Sequence, residues 1–123
     1  MEVDKKSIDI IIRKKTFKIS FVSNWVIYQY EQLNRKLVKL QELYNSLEKL
    51  PNKIEIKKIA DEITGMGASL HAERLEIVEE LVTTNDMKFD LNFWERKTDV
   101  TDIMGFINQC AFKDTILSKK KAK

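Results

Sequence analysis

The first apolar residues of the chain alternate with polar ones, which is the pattern of half-buried β-strands. Isoleucine occupies every second position of residues 8–12, and Phe17, Ile19 and Phe21 share one face of residues 17–21. The link at 13–16 is short enough for a hairpin but lacks the glycine or Asn-Gly pair that a tight turn prefers. We therefore predict a hairpin with a loose loop. Because an isolated hairpin is only marginally stable, it must pack on the rest of the chain.

A second periodicity starts after Ser23 and Asn24, either of which can cap a helix. Apolar residues then recur at alternating spacings of four and three, the heptad pattern of a helix with one apolar seam. The seam residues are Val26, Tyr30, Leu33, Leu37, Leu40, Tyr44 and Leu47. Pro51 disfavours helical geometry at Leu50, so we predict that the first long helix ends there.

The apolar spacing resumes after the proline and predicts a second long helix from about residue 54 to residue 83. Gly65 and Gly67 weaken its middle, each by about 1 kcal/mol relative to alanine, and would mark either a kink or a close helix contact. Two helices joined by a short link usually fold back as an antiparallel hairpin. The heptad seam then lies between them; the alternative is that part of it faces another chain.

An aromatic connector and a third helix follow. Phe89, Leu91 and Phe93 alternate, which predicts an extended segment in which Phe93 and Trp94 point to opposite sides. One of these two rings would then enter the core, and the other would either contact a partner or, as is commoner, form a second core anchor. Thr98 or Asp99 can cap the short helix that comes next. Beyond it, we expect a further turn around residues 116–117.

Together these elements predict a mainly α fold (α+β), in which an N-terminal β-hairpin packs on a long antiparallel helical hairpin with a short C-terminal helix. We expect one domain over residues 1–118 and a flexible basic tail over 119–123. The four lysines of this tail exceed the whole net charge of +3, so the body of the chain has no basic excess. Nucleic acid is therefore an unlikely partner on charge alone.

The composition also bears on the compartment. A single cysteine, Cys110, excludes an internal disulfide framework and fits a reducing cytosol. No apolar stretch approaches the roughly 20 residues of a membrane span, and acidic residues interrupt the N-terminal region where a signal peptide would lie. We expect a cytoplasmic protein, in the host cell cytoplasm if it is encoded by a phage.

The sequence offers little for catalysis. His71 is the only histidine and has no histidine or acidic partner three residues before it or four after it, so we predict no metal site. Cys110 has no histidine nearby in the sequence, and the chain has neither a phosphate-binding loop nor a dinucleotide fingerprint. The acidic residues at 73–80 read as the polar face of an amphipathic helix. We expect a protein that is not an enzyme and has no cofactor.

The order of these parts resembles a known family. The hairpin "IDIIIRKKTFKISF" leads directly into a long helix, and an aromatic connector with an acid-capped helix, "FWERKTDVTDIMGFINQC", follows the helical middle. This arrangement is similar to the small tail assembly chaperones of long-tailed bacteriophages and of prophages in Gram-positive bacteria. The resemblance implies a helical, oligomer-forming protein that coats the tape measure protein and keeps it soluble. It also implies a longer frameshifted product, for which the lysines at 119–121 would mark the slippage site.

The favoured hypothesis is therefore a non-catalytic tail assembly chaperone that binds a tape measure protein and itself. The alternative is a small regulatory or inhibitory protein, encoded by a phage or a bacterium, that binds one folded target. For either function, the candidate partner-binding residues lie on the first long helix and near the C-terminus. They are Leu33, Leu37, Leu40, Tyr44, Trp94 and Phe106.

Overall fold

A computed structural model describes the backbone of residues 7–121 and the side chains of residues 7–117. The elements in chain order are β1 (Ile8–Ile12), β2 (Lys15–Ile19), α1 (Asn24–Leu47), α2 (Lys53–Thr83), α3 (Leu91–Arg96), α4 (Val100–Ala111) and α5 (Lys113–Lys121). The predicted class is confirmed: the chain is mainly helical, with an N-terminal antiparallel hairpin and two long helices packed together.

The basic tail predicted at 119–123 falls partly on α5, which continues to Lys121 and is longer than the turn expected around residues 116–117. Residues 122–123 and the side chains beyond 117 lie outside the described residues. The predicted flexibility of the tail is therefore not tested.

The strands of the hairpin bury the predicted residues, but the turn between the strands differs from the predicted loop. Ile8 pairs with Ile19 and Ile12 with Lys15, which leaves Arg13 and Lys14 as a two-residue turn. Both have positive φ, 49° and 70°, as a tight primed turn requires, so the expected loose loop is wrong. The turn forms without glycine because two strands that bury the same face fix its ends. Phe21 lies beyond β2 and is exposed, contrary to the alternation.

The two long helices have the predicted positions. Ser23 caps α1, its hydroxyl accepting from the Val26 N–H, and Asn52 caps α2 by accepting from the Glu55 N–H. The short link between them reverses the chain, and Lys36 on α1 binds Glu73 on α2 at 2.7 Å. Helix α2 runs unbroken through Gly65 and Gly67, and a Cβ built on either would meet nothing within 4 Å. Neither glycine therefore interrupts the helix or marks a close helix contact.

The connector is a helix and not an extended segment. Asp90 caps α3 by accepting from the Phe93 N–H, and within one helical turn Phe93 and Trp94 both enter the core. The expected extended segment is therefore wrong, and of the two expected fates of the second ring the structure shows the second core anchor. Their rings lie with Phe17 of β2 and Phe106 of α4 in one cluster, with centroid separations of 5.1 to 6.1 Å. This cluster attaches the hairpin to the helices.

Helix α4 is the third helix of the core. Asp99 caps it, as predicted, and forms a reciprocal capping box with Asp102. Helix α4 contacts α1, α2 and β1, so at this end of the molecule the two long helices have a third helix against them. The buried residues of one continuous core run from Ile8 to Cys110 along the chain.

Burial divides the long helices into two regions. Towards the α1–α2 link, no residue of α1 beyond Leu33 and none of α2 before Ile63 is buried. We call residues 38–66 the arm and the other described residues the head. None of the described helices is long and apolar enough to cross a membrane.

Candidate partner-binding surface

The groups with catalytic potential do not form a reactive site. Cys110 is buried, and burial raises the pKa of its thiol to about 12, so the thiol stays protonated. The Nε2 of His71 lies 3.3 Å from a carboxylate oxygen of Glu95, on a half-exposed surface between α2 and α3. Among the described residues, no three His, Cys, Asp or Glu side chains are grouped to hold a metal ion.

The six candidate partner-binding residues occupy different environments. Leu33, Trp94 and Phe106 are fully buried in the core, so the prediction that they face a partner is corrected. Leu33 belongs to the continuous core, and the two aromatic residues belong to the cluster that holds the hairpin. Leu37 and Leu40 are partly buried against the core. Only Tyr44, with 50% of its surface exposed, lies open to a partner.

The arm has exposed apolar side chains, as the head does. Ile54 is 80% exposed, and Val38 and Ile56 are exposed as well, together with Tyr44. Ile54 and Ile56 are two residues apart on α2 and point to different sides of the helix, so the four residues do not form a single stripe. Tyr44 continues the apolar seam of α1 beyond the part that the core buries, which makes this end of the seam a candidate interaction surface.

A groove follows the α1–α2 contact where the arm meets the head. It encloses about 250 Å³, and Met66 and Leu70 supply its apolar part. Lys36 and Lys39 line one side and Glu62 and Ser69 the other. The groove therefore has an apolar floor and charged edges of both signs, which suits an amphipathic peptide better than a polyanion.

A second exposed patch lies on the head, beside the start of α1. Phe21, Trp25, Tyr28 and Phe112 are all exposed there, and Phe21 lines a cleft of about 340 Å³ between α1 and the α4–α5 junction. The ring of Phe112 packs edge-on against Tyr30, whose hydroxyl donates to Asn108 at 2.8 Å. These two contacts join Phe112 to α1 and α4.

One charged residue in the α1–α2 contact escaped the sequence analysis. Arg74 of α2 is only 8% exposed, although arginine is almost never buried unless it is paired. Its Nε has no hydrogen-bond acceptor among the residues that the structure describes. Burial lowers the pKa of its guanidinium, and the neighbouring Glu73 opposes that effect. The sequence did contain a signal of this burial, because Arg74 occupies a position in the four-and-three spacing of the otherwise apolar α2 seam.

Comparison with protein-family models, curated proteins and solved structures finds no match to this chain. The resemblance to tail assembly chaperones therefore stays a prediction.

Proposed function

We propose that this chain is a non-catalytic tail assembly chaperone that holds a helical protein client, the tape measure protein, on its arm. The observation that carries the proposal is the exposure of apolar residues on the arm, where the α1 seam continues to Tyr44 beyond the buried core. A client helix lying there would cover Tyr44 and Ile56. The order of hairpin, long helices and acid-capped helix, which resembles that family, supports the same proposal.

The proposed site of action is the host cytoplasm. Self-association is part of the proposal, because the same apolar residues would bring copies together while no client is bound. A phage tape measure protein is a long, largely helical molecule, so several copies of a chaperone would be needed to cover it. The proposed client contact requires neither a cofactor nor a reactive group.

The test compares two variants of α2 that introduce the same carboxylate. Ile56→Glu places a charge among the exposed apolar residues of the arm, and Thr64→Glu places it on an exposed position whose native residue is polar. The client is a segment of about 40 residues from the longest heptad-rich protein encoded beside this gene. It is diluted from denaturant, and light scattering reports its aggregation.

We expect wild-type protein and Thr64→Glu to suppress the scattering and Ile56→Glu to lose that ability. Equal suppression by both variants would overturn the arm as the client site. Absence of any heptad-rich neighbour in the native gene cluster would overturn the tail role. Mass spectrometry of products made from the native DNA would also show whether a longer form is joined near residues 119–121.

The alternative function rests on the aromatic patch of the head. Trp and Tyr side chains are enriched at binding hot spots, and the exposed Trp25 and Tyr28 lie one helical turn apart on α1. An inhibitor of one folded target would use this patch and leave the arm free. Trp25→Ala would then abolish target binding, while Ile56→Glu would not.

A further inference from the structure

Arg74 occupies a position that the rest of its helix reserves for apolar residues. Ile63, Gly67, Leu70, Arg74 and Ile77 follow one another at spacings of four and three residues, so they share one stripe of α2. Leu70 and Ile77, on either side of Arg74 in this stripe, are fully buried. The arginine therefore lies within the contact between the two long helices.

The acidic residue next to Arg74 in the chain makes its hydrogen bonds elsewhere. Glu73 binds the Nζ of Lys36 through both carboxylate oxygens, at 2.7 and 2.8 Å, and accepts from the Ser69 hydroxyl at 3.1 Å. The charge of Glu73 acts favourably on the Arg74 guanidinium, but the buried Arg74 Nε has no hydrogen-bond acceptor within the described part of the chain. A buried N–H group without an acceptor is unfavourable, and an incoming acceptor would remove that cost.

The same stripe has open space at Gly67. Gly67 lies seven residues before Arg74, with Leu70 between the two, and a Cβ built on Gly67 would meet nothing within 4 Å; we call this space the gap. No residue of α2 before Ile63 is buried, so the core does not cover α2 along the arm. A client helix lying along the arm would bring its own side chains to the gap at Gly67.

We propose that the client segment is an amphipathic helix with an aspartate or glutamate inside its apolar stripe, and that this carboxylate enters at Gly67 and pairs with the guanidinium of Arg74. A carboxylate can accept two parallel hydrogen bonds from an arginine, which makes the pair both strong and selective. This inference rests on the proposed function and adds to it the chemistry by which the client is chosen. The proposal explains why a charge is retained in the seam.

The probe is a synthetic amphipathic helix of about 20 residues, long enough for some 30 Å of contact. One version has a single glutamate at the centre of its leucine stripe, and the other has glutamine there. Their affinities are measured by fluorescence anisotropy for wild-type protein and for Arg74→Met. Exchanging a buried charge for an apolar residue of similar volume is often neutral or stabilising, so Arg74→Met is expected to fold. Urea unfolding checks this.

We expect wild-type protein to bind the glutamate peptide about tenfold more tightly than the glutamine peptide, a modest value for a desolvated charge pair. Arg74→Met should show no such preference. Gly67→Leu should also lose the preference, because its side chain fills the gap. Gly65→Leu is the matched control: it makes the same exchange in the same helix, off the stripe, and should keep the preference.

Equal binding of the two peptides to wild-type protein, or a preference that survives Arg74→Met, would overturn the pairing. Failure of both peptides to bind would overturn it too. The proposed function fails separately, if Ile56→Glu keeps its client. Loss of client by Ile56→Glu together with equal peptide affinities would leave the arm as the client site and remove only the role of Arg74.

Discussion

Asn85 holds the backbone of Phe21 from both directions. Its Oδ1 accepts from the Phe21 N–H at 2.9 Å, and its Nδ2 donates to the Phe21 carbonyl at 2.9 Å. The same amide accepts from the Ser20 N–H and donates to the Leu81 carbonyl. One side chain at the end of α2 thus satisfies the backbone where β2 turns into α1, 64 residues earlier in the chain.

Asn85→Asp should therefore destabilise the head. An aspartate keeps the acceptor but removes both N–H donors, and it places a second oxygen against two carbonyl groups. We expect a loss of about 2 kcal/mol in the free energy of unfolding, measured by urea denaturation at pH 7. Asn92→Asp, on the exposed surface of α3, is the control and should change the stability little. Equal effects of the two variants would contradict the bridging role of Asn85.

The hairpin turn and α4 should lose their mutual attraction in acid. The hydrogen bond from the Arg13 Nε to the Asp102 Oδ2, at 2.7 Å, holds the pKa of that carboxyl below its ordinary value of 3.8, with help from the Asp99 N–H. The pKa of Asp102 is lower in the folded chain than in the unfolded chain. The Arg13–Asp102 pair therefore stabilises the fold fully at a pH above the ordinary pKa of the carboxyl. This stabilisation disappears as the pH falls through the folded pKa.

Arg13→Met removes the partner while retaining most of the aliphatic chain. We expect the variant to unfold at a lower urea concentration than wild type at pH 7, and the difference to shrink as the pH falls below the ordinary pKa of the carboxyl and Asp102 becomes protonated. A difference that stays constant as the pH falls would show that Arg13 acts through packing in the turn and not through Asp102.

The turn itself offers a stabilising substitution. Lys14 has a φ of 70°, in the left-handed region, which costs an L-residue about 1–2 kcal/mol and glycine almost nothing. Lys14→Gly should therefore raise the free energy of unfolding by about 1 kcal/mol, after allowing for the greater freedom of glycine in the unfolded chain. Lys15→Gly, one position along in β2, should lower it instead. Thermal unfolding of both variants gives the comparison.

The two tryptophans should report on different parts of the molecule. Trp94 is 1% exposed and Trp25 is 42% exposed. Trp94→Ala should cost about 3–5 kcal/mol, enough to unfold a marginal domain, because it empties the centre of the aromatic cluster. Trp25→Ala should leave stability nearly unchanged, and the remaining emission should be blue-shifted. A red-shifted spectrum from Trp25→Ala would mean that Trp94 is not in the core.

The long helices could be predicted because their signals are local. The heptad spacing, Ser23 and the stop at Pro51 each act within a few residues, and so does the Asp99 cap of α4. The buried faces of the two strands were predicted correctly for the same reason, up to Ile19, where β2 ends. These features account for the fold class.

The errors arose where distant parts of the chain decide the outcome. Alternation at Phe89, Leu91 and Phe93 suggested an extended segment, but Asp90 caps a short helix that lets Phe93 and Trp94 fill one cavity beside Phe17. Asp90 was a usable signal that the aromatic pattern outweighed.

The burial of the seam residues could not be predicted for a related reason. A heptad seam does not show which of its turns a third helix will cover. Helix α4 contacts α1 near Tyr30, where Asn108 accepts from the Tyr30 hydroxyl, and Tyr44 at the other end of the seam stays exposed. The missing acceptor of the Arg74 Nε could not be predicted at all, because it depends on the side chains that Glu73 binds.

The core of the head joins residues from Ile8 to Cys110, whereas the two helices of the arm meet across a link of a few residues. During synthesis the arm can therefore form as soon as α2 leaves the ribosome, while the hairpin waits for α4. The apolar residues of the arm would then be exposed on a folded helical pair before the head has closed. The surface of the arm can thus be complete on the ribosome, ahead of the rest of the fold.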